Sequence, residues 1–170
     1  MKNVELRSAL DVFGLRQEST SDEAVYDPGL YAVALPGGWL VVIGDGWDSM
    51  EAVTEAHARV LSKGTDALHF FCDDTSMCAS LVAYGDGKTV WTLEHDGSNG
   101  PGTPAVSGTP PPLVGEIVVR LQKEQADSGR KDVDYVYDAA PEIGLALTGF
   151  RHDQTLGNGD VLPILVLRPK

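Results

Sequence analysis

The sequence predicts an α+β fold: a single domain spanning 1–170, built on a mixed, largely antiparallel sheet packed with helices. Three observations predict it. Short apolar runs of strand length recur, and several are joined by hairpin turns. Segments with helical apolar spacing fall between and after them. A chain of 170 residues with 42% hydrophobic content suits one core. At that length folding hides roughly 70% of the unfolded chain's surface, so neither a disulfide nor a structural metal is needed for stability.

Val4, Leu6, Leu10, Val12 and Phe13 set an amphipathic rhythm over 4–16 that Gly14 would stop, and the polar, acidic stretch Gln17–Pro28 then predicts a loop. Tyr31–Leu35 and Trp39–Ile43 flank Pro36-Gly37-Gly38. Proline presets φ and glycine accepts positive φ, so these runs predict a hairpin. Asp48 followed by Glu51 matches a capping box, and Met50, Val53, Val60 and Leu61 recur at helical spacing; the spacing predicts one helix over 49–63 with Gly64 as its stop. A three-strand meander comes next: 67–72, a turn at Asp73–Ser76, then Met77–Tyr84, the favoured Asp86-Gly87 turn, and Thr89–His95.

Residues 96–112 are rich in Gly, Ser, Thr and Pro and predict a flexible loop, with room for a short strand near Ala105–Ser107. Pro111-Pro112 introduces a helix with the stripe Leu113, Val114, Ile117, Val118 and Leu121, ending at Gly129. After the short segment Val133–Tyr137, Asp138-Ala-Ala-Pro141 opens another helix. Val161–Leu167 reads as a last strand, and Pro163 within it predicts a sheet edge.

Charge narrows the function. The net charge of −12 opposes binding to nucleic acid or anionic membrane, both polyanions. No apolar run approaches the length of a membrane span, and the first residues lack the apolar core of a signal peptide. Cys72 and Cys78 are separated by five residues, outside any C-x-x-C unit, and read as small core side chains of a reducing, cytoplasmic compartment. Residues 1–100 carry 6 Lys/Arg against 16 Asp/Glu, a net of −10, whereas 101–170 carry 7 against 9. Such asymmetry steers a basic partner onto one face or serves solubility alone.

The catalytic motifs are weak. Gly44-Asp-Gly-Trp-Asp48 is no phosphate loop, because G-x-G-x-x-G is absent and its acids repel phosphate. No serine sits in a G-x-S-x-G elbow. His69 lies at an odd separation from Cys72, which puts their side chains on opposite strand faces. Two His-Asp pairs, His95-Asp96 and His152-Asp153, offer imidazole and carboxylate to a divalent metal if the fold joins them. Alternatively His95 ends a strand, and His152 sits at the negative end of a helix. No cofactor is called for. Trp39 and Trp91 read as core, but Trp47 lies in a Gly-rich strand exit. Ringed by Asp45 and Asp48, it makes a candidate hot spot for a basic protein, with the turn acids Asp73 and Asp74 as further candidates.

Val90-Trp-Thr-Leu-Glu-His-Asp96, Asp132-Val-Asp-Tyr-Val-Tyr-Asp138 and Leu147-Thr-Gly-Phe-Arg-His-Asp153 together resemble a bacterial protein family marked by D-x-D-Y followed by L-T-G-[FY]-R-H-D. The resemblance covers about residues 67–153. It implies a bacterial cytosolic origin and carries no assigned activity. The first expectation is therefore a non-catalytic protein-binding module, of the immunity type that neutralises a toxin-like basic partner. The alternatives are a metal-dependent hydrolase using the His-Asp pairs and a structural or regulatory homo-oligomer.

Overall fold

The computed structural model describes residues 1–21, 28–99, 102–153 and 162–170. It is an α+β domain whose strands divide between two four-stranded sheets rather than lying in one, and every pairing among the described strands is antiparallel. The first sheet has the order β1-β8-β2-β3, from β1 (Leu15–Ser21), β2 (Gly29–Ala34), β3 (Leu40–Asp45) and β8 (Ile164–Pro169). The second is a plain meander of β4 (Asp66–Asp73), β5 (Cys78–Gly85), β6 (Lys88–Asp96) and β7 (Ala105–Gly108). Its strands follow one another through short links and need no outside partner. The first sheet gathers strands from both ends of the sequence.

Helices α1 (Leu6–Phe13) and α3 (Glu55–Leu61) supply the apolar layer that joins the two sheets. Ala9 and Leu10 of α1 and Ala58 and Leu61 of α3 share one buried cluster with Leu15, Leu30, Leu40 and Leu167 of the first sheet and Ala67, Val82 and Tyr84 of the second. The opposite face of the second sheet presents Ala79, Leu81, Trp91 and Leu93. It packs on Val114, Val118 and Leu121 of α4 (Pro112–Ser128) and on Ala139, Ala140 and Ile143 of α5 (Ala139–Thr148). The second sheet is thus covered on both faces, which explains the near-continuous apolar character of β5.

Several expectations are corrected. The stretch after Gly14, read as a loop from Gln17, carries strand β1; its side chains are largely polar and exposed, so no alternation marks it, and residues 22–27 lie outside the described residues. The single helix over 49–63 is two short ones, α2 (Trp47–Met50) and α3, broken at the β-branched pair Val53-Thr54, where Thr54 is extended at φ −115°. The cap belongs to Thr54 and not to Asp48: the Thr54 backbone N–H donates to Nδ1 of His57 at 3.3 Å, the place a capping glutamate usually fills. The last strand is interior, held between β1 and β2. It begins at Ile164, so Pro163 precedes the ladder and removes no donor from it, while Val161 lies outside the described residues. Within 96–112, Gly97–Asn99 form a 3₁₀ turn, β7 pairs with β6, and residues 100–101 lie outside the described residues. The Asp86-Gly87 hairpin has φ of 49° and 75° at its two central residues, as a type I′ turn requires.

Candidate functional site

The strand exit after β3 builds the first candidate. β3 is an edge strand, and α2 folds back against its end. This close approach depends on Gly44. A Cβ there would stand 2.5 Å from the Ser49 carbonyl oxygen and 2.9 Å from its carbon. The short helix turned in this way projects Trp47 outward with 81% of its surface exposed. Asp45, Asp48 and Glu51 around it are exposed as well. Trp91 is buried at 5%, as expected of a core tryptophan. An indole so fully in water adds little buried apolar surface to the fold.

Asp73 and Asp74 sit at the β4–β5 turn of the second sheet and are engaged locally. Asp73 accepts the Thr75 backbone N–H at 2.9 Å and the Ser76 hydroxyl at 2.7 Å, and the Ser76 bond foremost holds its carboxyl below the usual range. Asp74 accepts the Tyr137 hydroxyl.

The two His-Asp pairs do not meet as one cluster. His95 points from β6 into the helix-covered side and bonds through Nε2 to Asp134 at 2.7 Å. The two side chains are 1% and 8% exposed. Asp134 also caps the 3₁₀ turn Tyr135–Asp138, its Oδ1 accepting the N–H groups of Val136 and Tyr137. His95 is therefore a buried strut between β6 and the segment before α5. Asp96, on the other face, accepts the Ser98 N–H at 2.9 Å and faces the Cys78 thiol at 3.5 Å. Asp153 is paired with Arg151 at 2.6 Å, and the same guanidinium reaches Asp138 at 2.8 Å.

His152 goes elsewhere. Its ring lies against Phe70, with centroids 5.4 Å apart, and its Nε2 stands 3.6 Å from Sγ of Cys72. Cys72, Asp74 and His152 offer ligand atoms that all lie within 4.8 Å of one another. Among the described residues these three are the group so placed that can hold a metal ion. Burial first, then the Asp74 carboxylate, pushes the Cys72 thiol up to about 11. Burial and Asp74 raise the Tyr137 hydroxyl too. An apo thiol so placed is protonated and a poor nucleophile at neutral pH. Both cysteines are free and half-buried.

Sequence reasoning found His152 but neither Cys72 nor Tyr137 as its neighbour. Cys72-x-Asp74 at a strand end does carry a local signal, since a turn beginning at Asp74 keeps its carboxylate close in sequence to the Cys72 thiol. The partner 80 positions away carries none.

An open cleft of about 500 Å³ on the second sheet is lined by Phe71, Ser80, Val82, Glu94 and Asp96, with Glu55 of α3 beside them. Among the described residues no helix is long and apolar enough to cross a membrane. No protein-family model matches the chain, and no curated protein or solved structure matches it significantly.

Proposed function

We propose that this chain is a non-catalytic protein-binding module, of the immunity type, that captures and neutralises a basic toxin-like protein in a bacterial cytoplasm. The observation that carries the reading is Trp47, 81% exposed at the end of an edge strand and ringed by exposed acids. Tryptophan is the side chain most enriched among binding hot spots, and acids around it select a cationic partner and speed its approach. A second copy of this chain is a poor occupant, because each copy brings a charge of −12. The two free thiols fit a reducing compartment.

The test is affinity capture from the native bacterial lysate with the intact protein and with Trp47→Ala and Asp45→Asn/Asp48→Asn. The expected result is one basic protein captured near stoichiometry and released by salt. Expressed alone, that protein should arrest growth, and co-expression of this chain should relieve the arrest. Trp47→Ala should weaken binding by at least about 2 kcal/mol, near thirtyfold. The acid variant should lower the association rate and its salt dependence. Capture untouched by salt and by both variants overturns the reading.

A further inference from the structure

The Cys72 cluster lies outside the surface just described, and no step of partner binding uses it. Its three side chains differ in kind: a thiol, a carboxylate and an imidazole. Cys72 lies one residue before the end of β4, and Asp74 is the first residue of the turn that follows it. His152 comes from the segment following α5, which Gly149 ends in a left-handed conformation at φ 81°. The turn after that glycine carries Arg151 toward Asp138 and lays the His152 ring on Phe70.

The spacing fits a specific coordination. Around a tetrahedral zinc, with Zn–S about 2.3 Å and Zn–N about 2.0 Å, sulfur and nitrogen stand about 3.5 Å apart. Sγ of Cys72 and Nε2 of His152 are 3.6 Å apart. A carboxylate oxygen within 4.8 Å of both needs a shift of at most about 1.5 Å to complete a third vertex. Asp74 and His152 are exposed, so their side chains have freedom to close.

We propose that Cys72, Asp74 and His152 form a three-ligand site for a divalent cation of the zinc class. A soft sulfur with a borderline nitrogen and a hard oxygen selects zinc or cobalt over magnesium or calcium, which want oxygen alone. The surroundings agree. Asp73, Asp74 and Asp153 all bear on the sulfur electrostatically, and a bound dication turns that repulsion into attraction while the thiol releases its proton to solvent. The nearby Arg151 is turned to Asp138 and Asp153. Tyr137 donates its hydroxyl to Asp74 and so acts as a positioning residue, fixing which carboxylate oxygen faces the ion. Three protein ligands leave the fourth position to water or to a donor from outside. The ion would join β4 to the segment behind α5, clasping two parts of the chain 80 residues apart.

The test uses the full chain, reduced and stripped with chelator, titrated with Co²⁺ and followed by absorption. The expected result is saturation at one equivalent. It should bring a thiolate-to-cobalt charge-transfer band in the near ultraviolet and the intense visible bands of tetrahedral cobalt, all bleached by Zn²⁺. Cys72→Ser should lose the charge-transfer band and Cys78→Ser should keep it. Asp74→Asn and His152→Gln should each weaken binding at least tenfold, and Tyr137→Phe about tenfold to hundredfold. Circular dichroism of the metal-free variants checks that they fold; the exposed Asp74 and His152 variants serve where Cys72→Ser does not. No saturable thiolate band in the wild type, or a band that survives Cys72→Ser, overturns the site. Neither result touches the partner-binding reading, which rests on another sheet.

Discussion

At the scale of single residues, the buried His95–Asp134 pair makes a heavy demand on its surroundings. Asp134 receives three bonds, one from the imidazole and two from backbone N–H groups, while almost no water reaches it. Removing it orphans all three donors at once. Asp134→Ala is expected to cost about 3–5 kcal/mol in urea denaturation. Asp134→Asn, which keeps an acceptor, should cost less than half as much, and equal losses would show that the bonds do not matter. His69 makes a quieter demand. Its Nδ1 is buried without a partner. Burial holds its pKa below the ordinary histidine value, with the Val53 backbone and Glu55 opposing only in part. The unfolded chain therefore binds a proton near pH 6.5 that the folded chain refuses. Its contribution to stability is whole above that pH and is lost as the pH falls from there through the lower folded value. His69→Leu should shrink the fall in urea midpoint between about pH 8 and about pH 5. An unchanged pH slope would show that His69 is not the group responsible.

At the level of elements, close approach decides more than propensity. Gly44 lets α2 close on β3, and a methyl group there meets backbone, which cannot rotate away. Gly44→Ala should cost about 1–3 kcal/mol by thermal denaturation. It should also shift the fluorescence of Trp47, whose helix must move; an unaltered melt and spectrum would contradict the geometry. Elements made by local chemistry were legible. The Pro36-Gly-Gly hairpin, the meander, α4 with its proline entry and even β7 lie where apolar period and turn residues put them. What escaped depends on distant partners. β1 is a strand because β8 supplies its ladder, and its own polar residues give no sign of it. β8 looked like an edge because Pro163 was counted inside it. The break between α2 and α3 was hidden because Asp48 and Glu51 imitate a cap that Thr54 and His57 in fact make. The exposure of Trp47 was readable from its glycine-rich setting, whereas the neighbours of His152 were not, since no local pattern reports a contact across 80 residues.

For the whole molecule, the two sheets differ in how far along the chain their strands must search. The meander pairs neighbours, whereas β8 pairs with β1 across about 150 positions, as in Leu15 opposite Pro169. Local pairings close fast and distant ones slowly, because loop entropy is lost before contacts compensate. A chain cut after Pro163 should keep slow amide exchange over β4–β6, α4 and α5 and lose it over β1 and β2; protection retained in β1 would refute this. The order of manufacture gives the arrangement a further meaning. β1 and β2 leave the ribosome long before β8, the strand with which each of them pairs. Until then the nascent polypeptide holds a finished half and a half still waiting, with the β1 edge and one edge of β2 open to any passing strand. A translation stall short of Ile164 would therefore release a species prone to stick, and the chaperones that greet it would meet the first sheet rather than the second.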